Sequence, residues 1–301
     1  MEFMDKRTLA IFAALGATLI YALNHTIAKD VMPTYIQGFG FIGIRLIGAT
    51  IAFWLFGLLM PKQHIDKADR SAFLRAAFFG MAINMLAFFK GLEYSTPINS
   101  TVIITTTPIM VFLFSVILLK ENIRPKRAIG VLIGFLGALS LVLFSQQAPA
   151  NAPNISLGNF LFIANASTYG LYMIYVKPLS EKYNTIHLLK WLFLIGLLMT
   201  MPFTLPELLE VDFQQMPHSV WWRIGFVVLG TTFMTYLLMV YAIRHLRATS
   251  LSVFTYLQPI IGIVYAALVG ADFMTPVKWI AMSLVLLGVF LVTKQEQPKG
   301  L

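Results

Sequence analysis

A chain of 301 residues that is 58% hydrophobic and 12% charged, with a mean hydropathy of +0.78, is far more apolar than a soluble domain, where about a quarter of residues are charged. The absence of cysteine excludes disulfides and thiolate metal sites, and the five histidines lack metal-ligand spacing, so we expect no metal and no cofactor. The net charge of +9 would suit a nucleic-acid partner, but the distribution of Lys and Arg described below gives it another cause.

The chain is predicted to be an all-α integral membrane protein. A helix that crosses the hydrocarbon core needs about 20 mostly apolar residues, and ten such segments follow one another along the sequence. Their apolar runs are continuous, whereas strands of a membrane barrel alternate in segments of about ten residues. The predicted spans are 8–28, 35–60, 71–91, 97–119, 126–145, 156–177, 186–205, 219–243, 248–269 and 276–293.

Polar side chains interrupt the apolar sequence of the first five spans. Asn24 and His25 lie in the outer part of the first span, and Asn84 lies halfway along the third. Arg45 lies near mid-depth of the second span, where a charge costs about 2.5 to 3.5 kcal/mol and cannot easily reach either interface. It either binds a substrate carboxylate or phosphate, or satisfies carbonyls of the protein itself. Pro108 removes one backbone hydrogen bond from the fourth span.

The last five spans contribute a second group of polar residues, among them Thr232, Thr235 and Tyr236 of the eighth span. Spacings of three and four residues place Tyr169 and Tyr172 on one face of the sixth span. A hydrogen bond between helices explains each such residue singly, but together they predict a polar cavity with aromatic walls. The predicted substrate-binding residues are Asn24, His25, Arg45, Asn84, Tyr169, Tyr172, Thr235, Tyr256 and Gln258. Pro108 and Pro259 are predicted either to form hinges or to cause only small packing adjustments.

Most Lys and Arg residues lie at one set of span ends, together with both chain termini. The opposite ends carry only Lys29, Lys90, Arg223 and Lys278. By the positive-inside rule, both termini are predicted to be cytoplasmic in a multi-pass protein of the bacterial inner membrane, which explains most of the basic excess without nucleic acid. No small-residue cleavage site precedes or follows the first span, so we expect that span to be retained rather than removed as a signal peptide.

The sequence repeats itself at a spacing of about half its length. A shift of 151 residues superimposes Val102 on Val253, Pro108 on Pro259, Glu121 on Asp272 and Pro125 on Pro276, and a shift of 148 superimposes Tyr21 on Tyr169 and Lys29 on Lys177. Because five spans per repeat is an odd number, the second repeat enters the membrane from the opposite face. We therefore predict two inverted five-helix repeats, 1–147 and 148–301, around a central cavity.

Several motifs carry a resemblance to a known family. The stretch Leu119-Lys-Glu121-Asn-Ile-Arg-Pro125-Lys-Arg-Ala-Ile-Gly130 resembles the loop and following helix of EamA domains in the drug/metabolite transporter superfamily. Tyr21-Ala-Leu-Asn24 is similar to the first-helix pattern of the domain, with Tyr21 in place of the usual Trp. The resemblance covers nearly the whole chain as two domains. It implies ten helices, a scaffold role for the fifth and tenth, and transport of amino acids, sugars, nucleotide derivatives or drugs, as in bacterial amino-acid and metabolite exporters.

These features predict a secondary transporter of small metabolites that works by alternating access. All thirteen Asp and Glu residues fall in loops, termini or span ends, so an interior with Arg45, and with His25 and Lys90 as further candidates, favours anions or zwitterions over cations. Amino acids or related carboxylate-bearing compounds are the leading substrates, with the lipid bilayer as the other partner. The alternatives are a sugar or nucleotide-derivative exchanger, a lipid scramblase and a non-transporting scaffold. No enzyme is expected, because nucleophile-elbow and zinc-protease motifs are missing.

Overall fold

A computed structural model describes residues 6–61, 63–120, 125–144, 151–246 and 248–293, without the side chains at 240, 243–244, 248–253 and 255–256. Over these residues the chain is all-helical. The helices are α1 (Lys6–Lys29), α2 (Gly38–Gly57), α3 (Lys67–Tyr94), α4 (Pro97–Leu119), α5 (Pro125–Phe144), α6 (Ile155–Lys182), α7 (Thr185–Leu209), α8 (His218–Gly225, Phe226–Met234 and Thr235–His245), α9 (Ala248–Leu268) and α10 (Pro276–Thr293).

Eight of the described helices are long and apolar enough to cross a membrane, namely α1 to α5, α7, α8 and α10. The polar residues Asn159, Asn165 and Thr168 lie within α6, and in α9 only Leu257–Leu268 forms an apolar helix over the described residues. The predicted class, an all-α protein with several membrane-spanning helices, is confirmed. The count of ten spans stays a prediction.

Side-chain caps set the beginnings of several helices, among them α4 and α6. Thr96 accepts a hydrogen bond from the backbone N–H of Asn99 at the start of α4, and Asn154 accepts one from Leu157 at the start of α6. Pro97 occupies the first turn of α4, where its missing N–H has no intrahelical partner to lose. These caps place the junctions between helices where polar residues interrupt the apolar sequence.

Helices α5 and α10 pack mainly against each other at the edge of the bundle. Glycines line their contact, and a Cβ atom added at Gly288 would lie only 2.5 Å from the backbone nitrogen of Gly134. The apolar windows of these two helices are 28% and 33% buried, which are the lowest shares among α1, α2, α3, α4, α5, α7, α8 and α10. This peripheral pair leaves the other helices to form the interior.

The remaining principal contacts follow a regular pattern. Helix α1 packs against α8 and α9, α6 packs against α3 and α4, and α2 packs against α7. If each helix is replaced by the helix five places before or after it in the chain, the same pairs of helices result: the pair α1 and α8 becomes α6 and α3, and the pair α1 and α9 becomes α6 and α4.

Two helices contain a π-helical segment, in which backbone hydrogen bonds span five residues instead of four. These segments are Phe78–Ile83 in α3 and Phe226–Met234 in α8. Their first residues are separated by 148 positions, which is the shift that superimposes Tyr21 on Tyr169. Such segments are rare and are frequent at functional sites.

Glycines bring α2 and α7 close to the two π-helical segments. A Cβ atom added at Gly48 of α2 would lie 2.4 Å from Val228 Cγ1, and one added at Gly196 of α7 would lie 2.4 Å from Met81 Cβ. Gly48 and Gly196 are again 148 positions apart. The π-helical segment of α8 therefore packs against Gly48 of α2, and that of α3 packs against Gly196 of α7, at equivalent positions of the repeat.

Candidate functional site

Arg45 is a buried cation between α2, α3 and α8. Its side chain is 6% exposed, its Nε donates a hydrogen bond to Thr232 Oγ1 at 2.8 Å, and its guanidinium carbon lies 5.4 Å from the centre of the Phe89 ring. Within the described part of the chain, neither a carboxylate nor any other hydrogen-bond acceptor contacts its two terminal amino groups. A buried ion without a counter-ion is unfavourable by several kcal/mol, so this arrangement suits an anion supplied from outside the protein.

The other buried cations of the described chain have their partners within the protein. Lys29 Nζ donates to three backbone carbonyl oxygens at 2.8 to 2.9 Å. Lys278 lies 2.5 Å from a carboxylate oxygen of Asp272, and both side chains are almost fully buried. Lys90, expected as a further cavity cation, instead pairs with Glu93 and Glu207 near the end of α3. The sequence prediction missed this because Glu207 lies 117 residues away from Lys90 along the chain.

Tyrosines from two helices lie near Arg45, and two more follow on a third helix. Tyr21 of α1 and Tyr236 of α8 lie in the vicinity of its guanidinium. The rings of Tyr169 and Tyr172 lie 5.4 Å apart on α6, and Tyr236 lies in the vicinity of both of these tyrosines. Tyr169, Tyr172 and Tyr236 were predicted to line the cavity, whereas Tyr21 was not. Tyr21 was detectable from its superposition on Tyr169 in the repeat.

Asn24 and His25 lie in the last two turns of α1 and are almost completely buried. Asn24 Oδ1 accepts a hydrogen bond from Thr231 of α8 at 3.1 Å. His25 Nδ1 lies 2.7 Å from Ser100 Oγ, which itself lies 2.9 Å from the carbonyl oxygen of Pro97. Because the Ser100 hydroxyl has a single proton, donation to Pro97 makes His25 Nδ1 the donor and leaves Nε2 with a lone pair. Among the described residues, this buried Nε2 has no hydrogen-bond partner.

Asn84 and Thr235 are engaged in hydrogen bonds of the helices themselves. Asn84 Nδ2 donates to the carbonyl oxygen of Asn165 at 2.9 Å, and Asn165 Nδ2 donates back to that of Asn84 at 2.8 Å. The Thr235 hydroxyl donates to the carbonyl oxygen of Gly230. These contacts account for the burial of both residues by helix packing, and a role in binding stays a prediction for each.

The predicted hinge at Pro108 coincides with a break in α4. A turn at Thr105 and Thr106 divides the helix, and the Thr107 hydroxyl donates to the carbonyl oxygen of Ile104 at 2.7 Å. The carbonyl that Pro108 releases is thus satisfied locally. Its role as a hinge stays a prediction.

The equivalent part of α9 is a continuous helix. Pro259 is buried within it and Gln258 is half-buried. The side chain of Tyr256 lies outside the described residues, as does the loop residue Glu121. The predicted roles of these positions are therefore untested.

The first end of the bundle, where α2 begins, is closed by buried charges. Glu93 Oε2 accepts from the backbone N–H of Gly38, and Glu207 Oε2 accepts from that of Phe39, both at 2.6 Å. Lys90 Nζ lies 3.0 Å from Glu93 and 3.2 Å from Glu207. Carboxylates are stabilised at a helix N-terminus, so this network holds the ends of α2, α3 and α7 together.

The second end, where α2 ends, is more open. Lys182 pairs with Asp66 and Asp69 at 2.5 and 2.6 Å through side chains that are 23 to 58% exposed. Such exposed pairs contribute only about 0 to 1 kcal/mol. A groove of about 480 Å³ lies beside them, lined by Asp69, Ala72, Arg75, Leu118, Leu119, Ile174, Tyr175, Pro178, Leu179 and Lys182. The two ends therefore differ in how firmly they are closed.

Comparisons with known proteins agree with this architecture. The sequence profile of the EamA-like transporter family matches residues 8–143 and again residues 156–294. "Uncharacterized transporter YetK" of Bacillus subtilis (strain 168) is 23% identical over 296 residues, which cover 97% of this chain and 90% of that protein. An uncharacterized transporter of Archaeoglobus fulgidus is 27% identical over 256 residues, covering 85% of this chain and 89% of that protein. A solved crystal structure shares the fold, with a TM-score of 0.61 and 17% identity over 95% of this chain and 97% of that chain.

Proposed function

The chain belongs to the EamA-like transporter family and is a membrane transporter with several apolar spanning helices. We propose that its substrates are small carboxylate-bearing metabolites, amino acids among them. The family assignment predicted from the loop and helix motifs is confirmed.

The environment of Arg45 is the observation that supports this substrate class. It is a buried guanidinium whose terminal amino groups contact no acceptor among the described residues. A guanidinium presents parallel N–H donors that match the two oxygens of a carboxylate. The aromatic rings of Phe89, Tyr21 and Tyr236 around it offer apolar surface and hydroxyls to the rest of a small molecule. A carboxylate would supply the missing counter-ion.

We propose alternating access between two inverted halves, 1–147 and 148–301, with ten spans in total. The exchange symmetry of the helix contacts supports this arrangement, as do the two π-helical segments at equivalent positions. Arg45 in the first half bonds to Thr232 in the second, so the binding residues lie where the halves meet. Rocking of one half against the other would expose this interface to each side in turn.

The charged network at the first end is proposed as a closed gate. Glu207 on α7 belongs to the second half, whereas its partners Lys90 and Phe39 belong to the first. Opening this end would separate these groups and leave the carboxylate in water. By the positive-inside rule the first end faces outward and both termini are cytoplasmic, so the described state is closed to the outside.

A sugar or nucleotide-derivative exchanger is less well supported than a carboxylate carrier. Nucleotide derivatives carry several negative charges and call for several free cations. Within the described chain, the buried ammonium groups of Lys29 and Lys278 and the partly buried one of Lys90 are already engaged by protein oxygens. Arg45 alone leaves donors for one anionic group.

The proposal is tested by thermal unfolding of the purified protein with a panel of amino acids, organic acids, neutral sugars and nucleotide sugars. A ligand that prefers the folded state raises its apparent stability, by about 2.7 kcal/mol at one hundred times its dissociation constant. We expect stabilisation by carboxylate-bearing compounds. Stabilisation confined to neutral sugars or nucleotide sugars would contradict the proposed substrate class.

A further inference from the structure

A chain of hydrogen bonds links Arg45 to the π-helical segment of α8. Arg45 Nε donates to Thr232 Oγ1 at 2.8 Å, and the Thr232 hydroxyl donates in turn to the carbonyl oxygen of Val227 at 3.1 Å. Thr232 is completely buried, so water does not compete for either bond. The hydroxyl is fixed from both sides, because its proton is directed at Val227 and its lone pair faces Arg45.

This chain determines which donors of Arg45 remain for a ligand. A guanidinium has five N–H donors in one plane, and Nε uses its single donor on Thr232. The two terminal amino groups keep all four of theirs, since they contact no acceptor within the described chain. With Nε anchored and the Phe89 ring against the guanidinium, rotation about the last side-chain bonds is restrained. The two terminal amino groups therefore present one pair of parallel N–H donors in a fixed direction, and we call this pair the Arg45 fork.

We infer that Thr232 is a positioning residue, which orients the Arg45 fork for a planar anion with two oxygens. The inference rests on the proposed function, because it assigns the geometry of the same anion site. It adds that affinity depends on a residue of α8 that need not touch the substrate. It also places the selectivity in the shape of the anion, since two separate oxygens accept one N–H each from an oriented pair of donors, whereas a spherical anion shares one atom between both.

The π-helical register is what places the Thr232 hydroxyl at this point. Thr232 bonds to a carbonyl five residues earlier, as does Thr235 with Gly230. In an α-helix each residue is rotated by about 100° from the one before, so a change of register by one residue would turn the hydroxyl away from α2. The orientation of Arg45 is therefore tied to the local geometry of α8.

The neighbouring threonine provides a matched control. Thr231 is also completely buried in the same π-helical segment, but its hydroxyl bonds to Asn24 rather than to Arg45. Thr231→Val and Thr232→Val thus remove the same group from adjacent positions of one helix. Thr232→Ser keeps the hydroxyl and should restore the function.

Sodium formate is the probe, because formate is the smallest planar anion with two oxygens. Its effect on thermal unfolding of the full-length protein is compared with that of sodium chloride at equal ionic strength and with that of neutral formamide. We expect formate-specific stabilisation of the wild type and of the Thr231→Val and Thr232→Ser variants. We expect the apparent affinity of Thr232→Val for formate to fall about tenfold, which corresponds to one net hydrogen bond.

Two results overturn the inference, and they separate it from the proposed function. Equal affinity for formate in Thr232→Val and Thr231→Val shows that Thr232 does not position the fork, while loss of formate binding in Arg45→Gln would still support the carboxylate site. Absence of formate-specific stabilisation in the wild type overturns the two-oxygen geometry. If amino acids also fail to stabilise that protein, the proposed substrate class fails with it.

Discussion

Replacing Arg45 by methionine distinguishes a cation that serves a ligand from one that serves the fold. The substitution removes the bond to Thr232 and the contact with the Phe89 ring, which together contribute about 1 to 3 kcal/mol. It also removes a buried ion that has no counter-ion among the described residues, and replacing buried ions by apolar residues of similar size often stabilises a protein by about 1 to 4 kcal/mol. We expect the ligand-free variant to be as stable as the wild type or more stable.

Lys278→Met is the matched control for this substitution. Lys278 is equally a buried cation on a spanning helix, but its ammonium pairs with Asp272 at 2.5 Å. Removing it leaves the buried Asp272 carboxylate, as far as the described residues go, with only the backbone N–H groups of Ile98 and Phe273 as donors. Breaking a buried pair on one side is unfavourable by about 3 to 5 kcal/mol, so we expect a large loss of stability.

The assay is thermal unfolding in detergent, in a buffer free of carboxylates, for the wild type and both variants. The reasoning predicts opposite results, with a melting temperature that is unchanged or raised for Arg45→Met and clearly lowered for Lys278→Met. If Arg45→Met is destabilised as much as Lys278→Met, Arg45 satisfies the protein itself, and the argument for an external anion is refuted.

Three further predictions concern the interface between the halves. Gly196→Val inserts atoms where no space exists next to the π-helical segment of α3, so it is expected to destabilise the protein by about 1 to 3 kcal/mol in thermal unfolding. Gly225→Ala is the control and should cause no loss of stability, because no atom lies within 4 Å of the added Cβ. Equal stability of the two variants would contradict the close approach of Gly196 to Met81. Asn84→Ala and Asn165→Ala each remove one of two separate side-chain-to-backbone hydrogen bonds between α3 and α6, so each is expected to destabilise by about 1 to 3 kcal/mol in thermal unfolding, and unchanged stability of either variant would contradict its bond. The chain has no cysteine, so a single Tyr172→Cys variant should react with a water-soluble thiol reagent during transport and be protected by substrate; lack of reaction in every condition would place Tyr172 away from the pathway.

Patterns with a fixed physical period were predictable from the sequence. The apolar runs gave the membrane class, because an uninterrupted run of about 20 apolar residues has no alternative in a soluble protein. Arg45 was conspicuous because it is a charge far from both ends of its span. The motifs around Pro125 identified the family, since loop length and glycine spacing are local properties of the chain.

Contacts between distant segments were not predictable in the same way. Lys90 was expected in the cavity, because the sequence does not show that Glu207 is its partner. The two residues meet only when α3 and α7 pack together. Thr232 and Tyr236 were seen as polar residues of one span, but nothing local indicates that they meet Arg45. The π-helical segments also escaped prediction, since a one-residue change of register leaves no clear pattern in an apolar run.

Uptake into proteoliposomes tests the central claim most directly. Vesicles containing the wild type, Arg45→Met or no protein are given amino acids together with their carboxamide analogues, and the contents are measured by mass spectrometry. We predict that the carboxylates enter only with the wild type and that the carboxamides enter no faster than in empty vesicles. Entry of carboxamides at the rate of the carboxylates, or unchanged carboxylate entry in Arg45→Met, would contradict a carboxylate site at Arg45.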